Sequence, residues 1–427
     1  MYFKLQILLA LIKLRLAKWW YKNKLDKLRE KRWKSLQKQL LHSPFYQKLV
    51  LNKTPLDDYP IMDKSAFMAS FDKINTVGIK LSEALKVAEK AEQQRDFSPT
   101  LNGITIGLSS GTSGNRGIFM ASQAERANWV ACILDRVIGI SFKKRSVAFF
   151  LRANSNLYSS VSSRLLKFSF FDILQPMDQH IEALNALQPS ILVAQPSVLL
   201  EIAACIEEGK VSISPAKIIS VAEVLTPEDA RNLEGVFNQT IHQVYQCTEG
   251  LLATTCEHGK LHFNDDFLII EKKYLDEEKK RYHPIITDLL RTSQPIIRYE
   301  LNDIIHEKND CPCRSTFTAI EMIEGRSDDV LVFRSNENKS VKIYPDFIRR
   351  EIILTHPSIQ DYTVIQKSES IIELYVGKSQ FFDKVKQRLQ SFLRSQGIDT
   401  VEIRQSLSRN HRQGKKLRRV QNESQKN

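Results

Sequence analysis

Only six cysteines, Cys132, Cys205, Cys247, Cys256, Cys311 and Cys313, are scattered through 427 residues. That is too sparse for a disulfide framework in a chain of this length. A reducing, cytoplasmic setting fits, and the chain is long enough to bury the core of a large domain plus a small one without covalent staples. No membrane-spanning run occurs either. The apolar stretch Leu5 to Ile12 is bounded by Lys4 and Lys13, far short of the roughly 20 apolar residues a spanning helix needs. No small-residue cleavage site follows it, as one would in a signal peptide. Internal repeats are absent, and the only biased segment is the basic, polar C-terminal tail.

A basic body is also missing, although the formal net charge is +13. Residues 1–50 carry 13 Lys/Arg against Asp26 and Glu30, and residues 404–427 carry 8 against Glu423. The chain between these ends is therefore acidic on balance. Without a basic stripe interleaved with aromatics there, nucleic acid is excluded as a partner. At the N-terminus, Trp19, Trp20 and Tyr21 stand among lysines, which leaves two readings. One is a basic amphipathic helix held peripherally on an anionic membrane surface; the other is a helix packed on the main domain with a solvated lysine face.

Residues 1–50 read as helix, ending near His42-Ser43-Pro44 because proline disfavours helix in the residue before it, so that 1–42 forms a basic helical extension. Lys80–Gln94 is a further helical stretch. From Ile104 short apolar runs alternate with helical segments: strands are expected at Ser146–Leu151, Ile191–Ala194, Lys217–Val221 and Thr240–Tyr245. Helices are expected between them at Ala124–Ile138, Met177–Leu187, Ser197–Glu208 and Pro227–Val236. The alternation predicts an α/β domain with a mostly parallel sheet. Beyond Gly325, strands at Val330–Phe333, Tyr362–Gln366 and Ile371–Val376 and helices at Phe347–Leu354 and Phe381–Ser395 predict a small α+β domain of about a hundred residues.

The most informative stretch is Leu108-Ser109-Ser110-Gly111-Thr112-Ser113-Gly114-Asn115-Arg116-Gly117. Three glycines and four hydroxyl residues stand between apolar runs. Glycines let backbone amides approach an anion, and hydroxyls donate to phosphate oxygens, so this is a candidate phosphate cradle. It lacks the Gly-Lys-Ser/Thr ending of the P-loop.

It resembles instead the Ser-Ser-Gly-Thr-Ser/Thr-Gly loop of adenylate-forming enzymes. Other segments follow in that family's order. Tyr245-Gln246-Cys247-Thr248-Glu249 is similar to Tyr-Gly-x-Thr-Glu, with Gln246 in place of Gly. Arg298 to Asp303 resembles the element whose Asp binds the ribose hydroxyls, although Glu300-Leu301-Asn302 departs from the usual residues. Gly325-Arg326-Ser327-Asp328-Asp329 is similar to the interdomain Gly-Arg-x-Asp-Asp segment, and Gly414 to Arg418 to the C-terminal Gly-Lys-x-x-Arg element. Ala222-Glu223-Val224-Leu225 resembles the Gly-Glu-Pro-Leu segment along the adenine.

The resemblance runs from about Ser43 to Arg418 and points to the phenylacetate–CoA ligase branch and its deazaflavin-adenylating relatives. Ser43-Pro44-Phe45-Tyr46, Tyr59-Pro60-Ile61-Met62-Asp63-Lys64 and Phe149 to Tyr158 carry that part of it. It implies a large N-terminal domain, residues 1–327, and a small mobile C-terminal lid, residues 328–427, hinged at Asp328. ATP would be bound by Ser109, Ser110, Gly111, Thr112, Ser113, Gly114, Glu223, Tyr245, Asp303 and Arg326. Thr248 would face the phosphates, Glu249 would hold Mg²⁺, a hard cation that prefers oxygen ligands, and Lys415, chosen over Lys416 by register, would be the catalytic cation. Arg152, Asn154, Asn156 and Tyr158 follow a strand, where an acyl pocket would sit at the sheet's carboxyl edge; they equally read as loop residues.

Cys256, His262, Cys311 and Cys313 make a chemically sound tetrahedral zinc set, which some ligases of that branch use. His258 competes with His262, and reduced structural cysteines are the alternative. The implied activity is ATP-dependent activation of a carboxylic acid as acyl-AMP, with transfer to the thiol of CoA or an acyl carrier protein. Adenylyl transfer to a hydroxyl and a membrane-associated nucleotide-binding scaffold stand as rivals.

Overall fold

The computed structural model describes residues 2–96, 98–108, 117–151, 165–307, 310–313, 315–356, 359, 361–408 and 418–424. They divide into two compact units, one of residues 1–301 and 305–322, the other of residues 302–304 and 323–427.

In the first unit, β1 (Thr100–Leu101), β2 (Ile104–Leu108) and β3 (Ile118–Ala121) form a small antiparallel sheet. β2 and β3 flank the Ser/Gly-rich loop, as its apolar borders predict. Five strands then lie parallel in the order β5-β4-β6-β7-β8: β4 (Arg145–Leu151), β5 (Leu166–Asp172), β6 (Ile191–Ala194), β7 (Lys217–Val221) and β8 (Ile241–Cys247). Ile191–Ala194 and Val147–Phe150 are buried without interruption, as expected where helices cover both faces of a parallel sheet. Helices Pro196–Glu207 and Pro227–Phe237 each begin with proline at the first turn, where no backbone donor is lost.

The sheet is larger and more mixed than the alternation suggests. Beyond β8 it continues by antiparallel pairings through β9 (Gly250–Thr255), β10 (Leu261–Phe263), β11 (Leu268–Tyr274), β12 (Arg281–Asp288), β13 (Tyr299–Glu300), β14 (Asp303–Glu307) and β15 (Ala319–Arg326), twelve strands in all.

Two helical expectations change. Ala124–Ile138 is α-helical only to Cys132 and continues as a wider π turn over Ile133–Ile138. The carbonyls at its end are taken by cations: Arg145 donates to Ile138 at 2.8 Å and Gly139 at 2.6 Å, and Lys217 to Val137 at 2.5 Å, the favourable sign for a helix C-terminus. The N-terminal helix breaks at residues 21–24 into Tyr2–Trp20 and Leu25–Leu40, because each half meets a different surface. Ile7 and Leu14 of the first are buried, Ile7 in the cluster that holds Ala127, Val130 and Val137. The second is pinned by Arg29 and Arg32 to Asp265 and Asp266.

The second unit is α+β. β16 (Leu331–Arg334) and β17 (Ser340–Ile343) pair as a hairpin, and β18 (Tyr362–Ser368), β19 (Ile371–Val376), β20 (Glu402–Gln405) and β21 (Val420–Asn422) form a four-stranded sheet in the order β20-β19-β18-β21. Helix Phe382–Ser395 buries Phe382, Val385, Leu389 and Leu393, three and four residues apart and hence on one face. They join Ile348 and Ile352 of helix Pro345–Thr355 in a common core.

Candidate active site

Thr248 and Glu249 form the tight connection between β8 and β9, whose pairing closes at Cys247 opposite Gly250. The pairing shifts register between Tyr245 and Gln246, and the Gln246 side chain accepts from the indole of Trp129 at 3.2 Å. The extra residue of this bulge is Leu252 on β9, so Gln246, which stands where the resembled motif has glycine, stays paired opposite Leu251. Gly250 has a local reason to be glycine: an added Cβ would stand 3.0 Å from an Asp288 carboxylate oxygen.

The Glu249 carboxylate is held by two hydroxyls. Thr248 Oγ1 donates to it at 2.8 Å, and so does the phenol of Tyr299, whose own ionisation is pushed far up, first by burial and then by the Glu249 charge. Arg291 fixes the same turn through its backbone, donating to the carbonyl of Thr248 at 3.1 Å and of Glu249 at 3.5 Å. Its other nitrogen reaches the Met120 carbonyl at 3.2 Å and Gln294 Oε1 at 2.8 Å. Gln294 in turn pairs with β3 through Met120 N and Ile118 O. β3 is the strand that leaves the Ser/Gly-rich loop, so Arg291 and Gln294 couple that loop's described end to Thr248 and Glu249. Beneath them, buried Glu125 accepts from Thr292 N at 2.6 Å, Ser293 N at 2.9 Å and Ser293 Oγ at 2.5 Å. Burial pushes its carboxyl up, but Arg291 and these donors outweigh it, and the net shift is downward.

Sequence reading missed Tyr299, Arg291 and Gln294 as site residues. The first lay unselected inside a quoted motif. The other two act through backbone groups 42 to 176 residues away, for which spacing carries no signal.

Tyr299 is itself braced by the segment around Tyr59–Lys64. Met62 bridges Tyr299 in parallel, with Met62 N bonded to Arg298 O at 3.0 Å and Glu300 N to Met62 O at 2.9 Å. Phe67 meets the Tyr299 ring edge-on at 5.3 Å. Arg298 donates to Glu271, at 2.6 Å for the shortest bond, and to the Tyr59 carbonyl at 2.8 Å.

Asp288, fully buried near Arg291, titrates near 6 because burial disfavours its charge. An unfolded Asp titrates near ~3.9, so the stability linked to this group is fully present below that value and lost as pH rises through about 6. Asp288→Asn is therefore expected to be more stable than the wild type at pH 7.5, by on the order of 2 kcal/mol, and equal to it near pH 4. Urea unfolding of both proteins across that range tests this.

In the second unit, Asp303 and Arg326 form an ion pair at 3.5 Å. Asn302 donates to Asp328 at 3.2 Å, and Ser327 N to Asn302 O at 2.8 Å. The neighbouring Asp329 is buried and pairs with Arg418. The Glu223 carboxylate receives Ser197 N at 3.1 Å and Ser197 Oγ at 3.2 Å, so it caps helix Pro196–Glu207. Ala222 before it has φ +69°, the left-handed region that costs an L-residue about 1–2 kcal/mol. The resembled segment has glycine there. Ala222→Gly is expected to raise stability by about 0.5–1 kcal/mol, the strain relieved less the entropy glycine adds to the unfolded chain, measurable by thermal unfolding.

The ligand atoms of Cys256, His262, Cys311 and Cys313 all lie within 4.8 Å of one another. Cys256 and Cys311 sulfurs are 3.7 Å apart, and Cys313 Sγ lies 3.4 Å from His262 Nε2. A tetrahedron with Zn–S near 2.3 Å and Zn–N near 2.0–2.1 Å has edges of roughly 3.5–3.8 Å. The donor set therefore fits zinc. His262 Nδ1 lies 2.9 Å from the Phe317 carbonyl, and donating there leaves Nε2 free as a ligand. His258 is outside the group and lies beside Glu257 at 3.7 Å.

Ser109, Ser110, Gly111, Thr112, Ser113 and Gly114, the acyl-pocket candidates Arg152, Asn154, Asn156 and Tyr158, and Lys415 lie outside the described residues.

Among solved structures, a 2-hydroxyisobutyryl-CoA ligase in complex with an acyl-AMP aligns over 93% of this chain and 88% of its own, with a TM-score of 0.66 at 17% identity. The amide bond synthetase McbA from Marinactinospora thermotolerans aligns over 74% of this chain and 68% of its own, with a TM-score of 0.54 at 12% identity. The chain has the fold of the adenylate-forming ligases. No protein-family model matches it. Two curated relatives carry sequence similarity: protein CapK of Staphylococcus aureus, 28% identical over 41% of this chain and 40% of its own length, and the indoleacetate–lysine synthetase of Pseudomonas savastanoi, 26% identical over 50% and 56%. The chain thus spans about half the length of the curated relatives it matches. No helix among the described residues is long and apolar enough to cross a membrane.

Proposed function

We propose that this protein uses ATP to activate a carboxylic acid as its acyl-adenylate, releasing pyrophosphate. The observation that carries this is the Thr248–Glu249 turn, presented at the end of a parallel strand and locked by Tyr299 and Arg291 in an adenylate-forming fold. In this reading the ATP phosphates lie on Ser109–Gly114 with Thr248 facing them, Tyr245 and the backbone at Glu223 flank the adenine, and Asp303 takes the ribose hydroxyls beside Arg326. Glu249 would hold Mg²⁺, which neutralises phosphate charge. The acid's carboxylate oxygen attacks the α-phosphorus in line, the bond to the bridging oxygen breaks, and pyrophosphate leaves. Arg152, Asn154, Asn156 and Tyr158 are the proposed acyl-pocket residues, and Asp328 is the proposed hinge between a domain of residues 1–327 and a lid of residues 328–427.

A thiol, of CoA or of an acyl carrier protein, then displaces AMP to give the thioester. A second reading has an amine as acceptor, since the Pseudomonas savastanoi relative is named for joining indoleacetate with lysine. Acid-dependent ATP–pyrophosphate exchange across aryl, cinnamyl and fatty acids tests the activation step. Exchange with no acid would sink it. Adding CoA or lysine to the acid that works, and identifying the thioester or amide formed, separates the acceptors.

The Cys256, His262, Cys311 and Cys313 group is the proposed structural zinc site, tying the β9–β10 connection to the segment before β15. Stoichiometric zinc should survive gel filtration of the wild type and be lost from Cys311→Ser, as read by elemental analysis. Equal zinc content in both would remove the assignment.

A further inference from the structure

The N-terminal helix Tyr2–Trp20 is apolar on two opposite faces. One face does what an apolar stripe on a helix normally does. Ile7 and Leu14 are buried at 8% and 6% exposure, and Ile7 belongs to the cluster with Ala127, Val130 and Val137. Arg15 pairs with Asp135 at 2.9 Å along the edge of that contact. The other face is Tyr2, Leu5, Leu9, Ile12, Leu16 and Trp20, following one another at three- and four-residue steps and 45–69% exposed. Among the described residues nothing covers it.

The charges around this face select its occupant. Residues 1–25 contain no acidic residue and carry Lys4, Lys13, Lys18, Lys22 and Lys24 besides Arg15. All five lysines are exposed, and none has an ion-pair partner among the described residues. At 100° per residue, Lys4 and Lys13 fall on opposite sides of the exposed apolar stripe. Trp19, 74% exposed, and Trp20 close one end, the residue type that settles at headgroup depth. A second copy docking through the same face would bring two unneutralised cationic helices together, which like charge opposes. An anionic bilayer supplies apolar depth and negative headgroups at once.

We propose that the exposed face of helix Tyr2–Trp20 lies on an anionic membrane surface while its opposite face anchors it to the nucleotide-binding unit, which makes the protein peripherally membrane-bound. This is independent of the substrate.

Vesicle flotation of the full chain tests it, using phosphatidylcholine alone and phosphatidylcholine with about one third phosphatidylglycerol. The protein should float with the anionic vesicles and not with the neutral ones, and added salt should weaken the binding. Leu9→Glu/Ile12→Glu/Leu16→Glu, confined to exposed side chains outside the buried clusters, should bind at least tenfold more weakly with unchanged circular dichroism and thermal midpoint. Lys4→Gln/Lys13→Gln/Lys18→Gln should do the same through charge. Absence of flotation, equal flotation with both vesicle types, or variants that float like the wild type would overturn the proposal. So would a lipid-free dimer, seen by sedimentation velocity and dissolved by the Glu variants, in a protein that does not float.

Discussion

Lys415→Ala is expected to lower acid-dependent pyrophosphate exchange by about 10²–10³-fold, the usual cost of removing one preorganised donor from a developing charge. In the proposed step, negative charge builds between the incoming carboxylate and the α-phosphate, and one cation supplied there stabilises the transition state more than the ground state. The described residues beyond Lys415 and Lys416 are held in place. Arg418 is paired with buried Asp329, and Arg419 stacks over the Tyr362 ring at 5.1 Å. Lys416→Ala, one position on, should leave exchange near the wild-type rate. Thioester formation from preformed acyl-adenylate should survive Lys415→Ala, since in the proposed mechanism the lysine serves only the first half-reaction. Equal losses in the two lysine variants would show that only the basicity of the tail matters.

The largest stability effect is expected at Arg136. Its guanidinium, 7% exposed, donates to Asn264 at 2.6 Å and to both carboxylate oxygens of Asp266 at 2.8 and 2.9 Å. It also lies over the Phe267 and Phe317 rings at 5.1 and 5.5 Å. Burial pulls Arg136 towards its neutral form, but the Asp266 carboxylate more than compensates. Arg136→Met removes one charge and strands the other, so destabilisation of about 3–5 kcal/mol is expected in urea unfolding. Pairing it with Asp266→Leu should recover much of that loss, because two apolar residues of similar volume escape both desolvation penalties. A loss below about 1 kcal/mol in the single variant would mean that Arg32, 3.2 Å from Asp266, carries the carboxylate alone.

This network explains why the basic N-terminus could be read in two ways. Arg29 and Arg32 of helix Leu25–Leu40 are spent on Asp265 and Asp266, a packing role. Lysines of helix Tyr2–Trp20 have no such partner among the described residues. Charge composition treats both helices alike, because the acidic side chains that separate them lie more than two hundred residues away.

Elements whose signal is local were legible. β6 and β7 coincide with the expected Ile191–Ala194 and Lys217–Val221, and β19 with Ile371–Val376, since a short, apolar-rich run bounded by turn residues has few alternatives to a buried strand. The extension of the large sheet by β9–β15 was not, because antiparallel strands such as Arg281–Asp288 mix Arg, Tyr, His, Pro and Ile, and their partner is set by pairing rather than by pattern.

What the sequence by itself determined is the order of chemistry-bearing segments, the alternation that makes the α/β core, and the relocation of positive charge to the two ends. Only the tertiary structure decided which groups share an environment. It brought Tyr299 and Arg291 to Glu249, chose His262 over His258 for the cysteine cluster, turned the Glu223 carboxylate towards a helix end, and left one apolar face of the first helix bare. The division has a physical basis. Residue type and near spacing fix what a group can do and which way a strand or helix faces, whereas distance, burial and a partner's charge depend on contacts closed by folding across hundreds of residues.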